Sequence, residues 1–168
     1  VAQVRLALAA GEITIDPRFP YPQEIFDDPA RGPNMHQVNF GFIKPRTRRT
    51  ELALSGGAAA TATVENLSYA LAANWETAGA PCELFVSHAW DEPFFEFAAR
   101  VLAEWPDDCK AAYICSLSNP QNLNVSALLG SDVAASPFYR VLHAPTPPGE
   151  LRMVANSITP IHTRLWSA

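Results

Sequence analysis

The residues best placed for chemistry follow a short apolar run, Glu83-Leu84-Phe85-Val86-Ser87, whose composition is typical of a strand buried on both faces. His88 comes directly after this run, and Asp91 follows three positions later. Because open parallel sheets bind ligands at the carboxyl ends of their strands, both residues are predicted to border a ligand site, where His88 could act as a base. The alternative is structural: Asp91 caps the next helix and His88 bonds to loop backbone. No second catalytic group lies at a fixed spacing, so no catalytic residue is predicted.

The three cysteines, Cys82, Cys109 and Cys115, are odd in number and lack the CxxC spacing of zinc sites. This pattern argues against a disulfide framework, and we predict neither a metal nor a cofactor. Cys115 could be a nucleophile beside His88, but the sequence around it lacks the positive charge that lowers a thiol pKa. We therefore interpret all three as small apolar residues. Reduced thiols indicate a reducing compartment such as the cytosol or an organelle stroma.

Four basic residues lie within six positions, namely Lys44, Arg46, Arg48 and Arg49. They could meet phosphates, lipid headgroups or acidic protein surface. The chain carries 12 Lys and Arg residues against 17 Asp and Glu residues, a net charge of −5, and has no recognisable nucleic-acid-reading module. A nucleic-acid partner is therefore not predicted, whereas protein surface or lipid headgroups are favoured.

An acidic stretch could pair with this basic run within the chain, although a solvated helix face is the simpler interpretation. Its members are Asp91, Glu92, Glu96, Glu104, Asp107 and Asp108. Beyond it the chain is poor in charge, since residues 111–168 hold only 5 of the 29 charged residues. A neighbouring molecule that covers this last third would explain why it lacks a solvated face.

The elements that position these residues differ along the chain. Six of the first 50 residues are proline, which excludes a helix of ordinary length after Gly11 and predicts an extended Pro-rich arm over residues 1–60. The arm is unlike a disordered linker because it is rich in aromatic residues, which gain by burial. We predict that it is an ordered strap whose aromatic residues bind a partner. These are Phe19, Tyr21, Phe26, Phe40 and Phe42.

Helical and strand patterns alternate after the arm. Apolar residues at a spacing of three and four predict a connecting helix over residues 61–80, ended by Gly79. Strands are predicted over residues 83–87, 111–117 and 151–155. Helices are predicted to begin at Asp91-Pro93, with an apolar stripe that includes Leu102, at Ser136-Pro137 and at Thr159-Pro160. This alternation predicts an α/β fold with three parallel strands and right-handed crossovers.

Three segments carry a resemblance to a known family. Phe85-Val86-Ser87-His88-Ala89-Trp90, with Pro93 and Phe94 next, resembles the first strand and loop of TIR-like domains. Tyr113-Ile114-Cys115-Ser116 with Asn119 and Gln121, and Asn156-Ser157 leading to His162-Thr163-Arg164-Leu165-Trp166, resemble the variant found in unicellular algae. The resemblance covers about residues 82–168 and implies a flavodoxin-like sheet in a domain of residues 81–168. It also implies that His162 and Arg164 border the ligand cleft.

The chain departs from this pattern at its end. The family continues with Trp-Cys-x-x-Glu, and in enzymatic members that glutamate cleaves a nicotinamide dinucleotide. Here Trp166 is followed by Ser167 and Ala168, so the glutamate position is absent from this sequence. The resemblance therefore implies a truncated, three-stranded parallel sheet, the first three of the usual five strands. Its third strand would stand at an open edge, where Leu151 and Met153 are predicted to contact a partner.

The first functional hypothesis is a non-catalytic interaction or structural subunit, attached to a larger assembly such as an algal photosynthetic or respiratory complex. No run of about 18 apolar residues is present, so no transmembrane segment is predicted, and membrane association would be peripheral and through the partner. One alternative is the front part of a TIR-like nicotinamide-dinucleotide hydrolase whose catalytic glutamate lies beyond Ala168. Another is a signalling adaptor.

Overall fold

The computed structural model describes residues 1–53, 61–77, 80–124, 128, 132–144, 149–154 and 157–158. The α-helices of this part are α1 (Ala2–Ala9), α2 (Gln23–Phe26), α3 (Met35–Val38), α4 (Lys44–Thr47), α5 (Tyr69–Ala73), α6 (Phe94–Ala103), α7 (Cys115–Ser118) and α8 (Pro137–Leu142). A π-helical turn spans Asn39–Ile43, and 3-10 turns span Trp75–Thr77 and Val133–Ala135. The strands are β1 (Arg49–Ala53), β2 (Thr61–Glu65), β3 (Leu84–Ser87), β4 (Ala112–Ile114) and β5 (Glu150–Met153).

Three of these strands form the parallel sheet that the alternating pattern predicts. Their order is β4-β3-β5, so within the part of the chain that the structure describes β3 is central and β4 and β5 lie at the edges. All four residues of β3 are buried, which matches its unbroken apolar sequence. The mixed α/β class and the parallel sheet are therefore confirmed. None of the described helices has the length and apolar character needed to cross a membrane.

The chain divides into two compact units. The first unit comprises Val1–Phe42, Val86–Asp108 and Arg152–Ala168, and the second comprises Ile43–Phe85 and Cys109–Leu151. Each unit is thus assembled from segments that are distant in sequence. The first 42 residues, where an extended arm is predicted, begin with α1 and contribute core side chains such as Val4, Ile13 and Met35. α1 forms ahead of the first proline, where nothing interrupts a helix.

In the first unit, backbone from the N-terminal segment caps α6. Pro93 occupies the N-cap position and makes no side-chain cap. Instead, the Phe94 N–H donates to the carbonyl of Pro33 at 2.8 Å, and the Phe95 N–H donates to the carbonyl of Arg31 at 3.0 Å. These bonds satisfy two of the amide groups that the start of a helix leaves without intrahelical partners.

The predicted helix at Asp91-Pro93 is confirmed, although its apolar stripe is not buried throughout. α6 buries Phe94, Phe95 and Phe97, but Leu102 in its last turn is 64% exposed. No described element covers that end of the helix face.

In the second unit, part of the predicted helix over 61–80 is wrong. Residues Thr61–Glu65 form β2, which pairs antiparallel with β1 in a register that sets Arg49 opposite Glu65. The sequence of this segment, Thr-Ala-Thr-Val-Glu, is rich in β-branched residues, which favour a strand when a partner strand is available. Helical structure in the described part of this range begins at α5, whose N-cap Ser68 accepts a hydrogen bond from the Leu71 N–H at 3.2 Å, and continues in the 3-10 turn Trp75–Thr77.

The predicted strand over 111–117 is too long. β4 ends at Ile114, and Cys115–Ser118 is helical. The Ser118 hydroxyl accepts a bond from the Ile114 N–H at 3.2 Å and so draws the chain into a turn. By contrast, the cap at Ser136 is confirmed, because its hydroxyl accepts a bond from the Tyr139 N–H at the start of α8. The helix predicted at Thr159-Pro160 lies outside the described residues.

Candidate functional site

The loop after β3 holds a fully buried pair of titratable side chains in the first unit. His88 and Glu92 both have side chains that are 0% exposed. Nδ1 of His88 lies 3.0 Å from Oε1 of Glu92 and 3.2 Å from the carbonyl oxygen of Ala89. The imidazole is walled by the rings of Trp90 and Phe97, at centroid distances of 6.0 and 5.2 Å. This burial closes His88 to solutes, so it cannot serve as a base that touches a substrate in this conformation.

A second imidazole, that of His36, packs against this loop and is partly open to solvent. His36 stacks on Phe19 at a centroid distance of 4.0 Å with the ring planes 8° apart, and lies 5.2 Å from the ring of Trp90. Its Nε2 is 3.6 Å from Oδ1 of Asp91, whose side chain is 63% exposed. Asp91 therefore faces His36 rather than His88. Among the described residues at this end of β3, His36 and Asp91 form a titratable pair that is partly open to solvent.

A polar bridge joins three segments of the first unit beside α6. The Arg31 guanidinium donates to the hydroxyl of Ser157 at 2.9 Å, and that hydroxyl donates to Oε2 of Glu96 at 2.7 Å. Arg100 completes an i,i+4 ion pair with Glu96 at 2.9 Å. Glu96 is thus engaged on both sides, and the acidic stretch is not a uniformly solvated face.

The aromatic residues of the predicted strap are largely enclosed by this chain. Tyr21, Phe26 and Phe42 are buried, whereas Phe19 and Phe40 are half-buried and stack at 5.5 Å. Burial raises the pKa of the Tyr21 hydroxyl well above its usual range, partly opposed by the charge of Arg31. That hydroxyl has no hydrogen-bond partner among the described residues. Tyr21, Phe26 and Phe42 are therefore core residues of this chain. The predicted contact between the strap and a partner depends on the half-buried Phe19 and Phe40.

The basic run lies in the second unit, on α4 and the start of β1. Lys44 is half-buried, and Arg46, Arg48 and Arg49 are exposed. The side-chain amide of Asn122 donates to the Lys44 carbonyl and to the Thr47 hydroxyl, both at 3.0 Å, which anchors α4. The structure thus brings these cations together on an anchored segment.

The remaining predicted contacts are at the sheet edge and the chain end. Leu151 in the edge strand β5 is 59% exposed. Met153 also lies in β5, but its side chain is outside what the structure describes. His162 and Arg164 lie outside the described residues as well. Their predicted roles at a ligand cleft stay predictions.

Glu92 and His36 are the residues that sequence reasoning missed. Glu92 was grouped with a solvated acidic face, whereas the structure buries it completely against His88. Glu92 lies four residues after His88, a spacing that brings side chains together when both are in a helix. Here both residues lie in the loop before α6, so the spacing alone did not predict a contact. For His36 no local signal existed, because its neighbours come from segments more than 15 residues away.

Among the residues described, no group of three or more His, Cys, Asp and Glu side chains is arranged to hold a metal ion. Comparisons with protein-family models, with curated proteins and with solved structures found no match. The TIR-like resemblance therefore stays a prediction based on the residues named above.

Proposed function

We propose that this chain is a non-catalytic interaction subunit that attaches to a larger assembly through the open edge of its sheet. The observation that carries the proposal is β5, an edge strand that presents Leu151 at 59% exposure. Covering this side chain is worth about 1.5–3 kcal/mol, and pairing backbone groups at an edge adds to that gain. An edge strand left open invites association. In β5 the charged residues Glu150 and Arg152 alternate with Leu151 and Met153, so Leu151 is the apolar contact that this edge offers.

The burial of His88 and Glu92 supports a structural rather than a catalytic role for the loop after β3. Both side chains are removed from solvent, and they contact each other instead of an open cleft. The exposed basic residues Arg46, Arg48 and Arg49 offer a second contact, complementary to acidic protein surface. In this proposal residues 81–168 are a shortened, TIR-like and flavodoxin-like sheet. A photosynthetic or respiratory complex of algal type is a concrete candidate for the assembly.

The test compares two exposed leucines. Leu151→Lys places a charge on the edge strand, and Leu102→Lys places the same charge on α6, where the leucine is 64% exposed. The tagged chain, purified under native conditions from cells that make it, is expected to carry a protein partner in constant stoichiometry. Leu151→Lys is expected to lose that partner, whereas Leu102→Lys keeps it.

Two outcomes would count against the proposal. A monomer that unfolds cooperatively and carries no partner would remove it, as would equal retention of the partner by the two variants. Light scattering over a range of concentrations separates the adaptor alternative, which requires that the chain associate with itself.

A further inference from the structure

Two cysteines in the second unit precede neighbouring strands. Cys82 lies two residues before β3, and Cys109 lies three residues before β4. The N–H groups of Glu83 and Leu84 both donate to the carbonyl of Ala111, at 3.0 and 3.2 Å. The Lys110 N–H in turn donates to the Glu83 carboxylate. Because β3 and β4 are parallel neighbours, these bonds hold the segments that enter the two strands side by side.

The two side chains are arranged alike. The Cys82 thiol donates to the carbonyl of Leu84 at 3.3 Å, and the Cys109 thiol donates to the carbonyl of Ala111 at 3.5 Å. Each sulfur thus bends forward over its own strand, and each residue is half-buried. Burial raises the pKa of the Cys82 thiol.

We propose that Cys82 and Cys109 form a reversible disulfide that links the entries of β3 and β4. Neighbouring strands lie about 4.8 Å apart. When two cysteines on such strands are offset by one residue, as the pairing of Ala111 with Glu83 and Leu84 indicates for Cys82 and Cys109, their Cα atoms still lie within the roughly 4.4–6.8 Å that a disulfide spans. Cys115 takes no part, because it is buried at the start of α7. All three cysteines are thiols in this structure.

The bond forms by two exchanges with a low-molecular-weight disulfide as oxidant. The Cys109 thiolate attacks one sulfur of the oxidant, which breaks the oxidant's S–S bond and releases one small thiolate. The Cys82 thiolate then attacks the Cys109 sulfur of the mixed disulfide and releases the second small thiolate. The two protons of the cysteines end on the two small thiols, and two electrons pass from the protein to the oxidant. Burial raises the pKa of Cys82 and so lowers its thiolate fraction at neutral pH, which suits the second, intramolecular attack.

The experiment uses the full chain and oxidised glutathione. After incubation, acid quenching and alkylation of remaining thiols, intact mass and non-reducing peptide mapping report the pairing. We expect two of the three thiols to disappear, the chain to lose two hydrogen atoms, and the Cys82 peptide to be joined to the Cys109 peptide. Dithiothreitol should reverse the change. The oxidised chain should also melt at a higher temperature than the reduced chain.

Matched variants separate this pairing from general thiol reactivity. Cys82→Ser should trap glutathione on Cys109, and Cys115→Ser should form the link as the unmodified chain does. Oxidation in denaturant should instead produce mixed pairings that include Cys115. Three alkylated thiols after oxidation of the folded chain, a glutathione adduct that never closes, or a link to Cys115 would each overturn the proposal.

Discussion

At the scale of single residues, the burial of Glu92 beside His88 has the largest energetic consequence. A carboxyl group removed from water loses its hydrogen bonds to the solvent, so its stability in the fold depends on the polar groups that contact it. Asp91, its neighbour in sequence, is mostly exposed and lies 3.6 Å from His36. The two adjacent carboxylates therefore differ in environment although they share a chemistry.

We expect Glu92→Ala to lower the free energy of unfolding by about 1–3 kcal/mol, because it leaves the buried imidazole of His88 without the carboxyl group beside it. Asp91→Ala is the matched control and should change stability by no more than about 1 kcal/mol, as for other surface ion pairs. Urea denaturation at neutral pH measures both. Similar losses for the two variants would show that burial does not distinguish them.

Tyr21 and Tyr113 form a second pair for comparison. Both are buried, and burial raises the pKa of each hydroxyl above its usual range. The Tyr113 hydroxyl bonds to Oδ1 of Asn119 at 2.9 Å, whereas that of Tyr21 has no partner among the described residues. At neutral pH, Tyr113→Phe should lose about 1 kcal/mol, and Tyr21→Phe should be neutral or gain up to about 1 kcal/mol.

The alkaline behaviour of these tyrosines follows from the same burial. In the unfolded chain a tyrosine loses its proton near pH 10, whereas the folded chain keeps both hydroxyls protonated above that pH. The stability that this proton linkage contributes is complete below pH 10 and is lost as pH rises further. As the pH is raised above 10, the melting temperature should fall less steeply for Tyr21→Phe than for the unmodified chain. An unchanged slope would contradict the burial of this hydroxyl.

At the scale of elements, the start of α6 depends on a glycine in the segment that caps it. Gly32 has φ +68°, and a Cβ placed there would overlap the ring of Phe95. Gly11 has a similar φ of +74°, but a Cβ there meets open space. The two positions share the backbone constraint, and only Gly32 adds a close approach.

We therefore expect Gly11→Ala to cost about 1–2 kcal/mol, the usual penalty for a left-handed residue with a side chain. Gly32→Ala should cost about 1–3 kcal/mol more, since it also overpacks against Phe95. Chemical denaturation of the two variants gives the difference. Phe95→Leu should recover part of the extra loss in the Gly32→Ala background, and failure to do so would rule out the ring contact as its cause.

At the scale of the whole molecule, the first unit contains segments from the beginning, middle and end of the chain. Its α6 takes two backbone caps from residues 31–33, and its core includes side chains from α1 and α3. Residues 1–42 are therefore part of the folding unit to which α6 belongs.

Deletion of residues 1–42 should abolish the slow hydrogen exchange of the Phe94 and Phe95 amides and remove cooperative unfolding of α6. Addition of a synthetic peptide of residues 1–42 should restore protection in proportion to its concentration. Hydrogen exchange read by mass spectrometry measures both effects. Full protection in the shortened chain would show instead that residues 43–168 fold without the N-terminal segment.

Local patterns in the sequence were sufficient where neighbours in sequence are also neighbours in space. The apolar run of β3 and the cap at Ser136 are defined by residues close in sequence, and both were predicted. The start of α6 after Pro93 was also predicted, although its amide groups are capped by the backbone of residues 31–33. The α/β class and the parallel sheet followed from the order of such elements. The helix predicted through residues 61–65 failed because pairing with β1 outweighs a weak helical periodicity.

Tertiary structure alone decided which side chains meet. It buried Glu92 against His88, set His36 between Phe19 and Trp90, and placed Cys82 and Cys109 at the entries of adjacent strands. Most of these contacts join segments that lie far apart along the chain. The contact of Glu92 with His88 depends instead on the path of the loop after β3, which the surrounding elements determine. Sequence determines residue types and local spacing, whereas burial and long-range pairing depend on how every element packs. The chemistry of each titratable or thiol group follows from that packing.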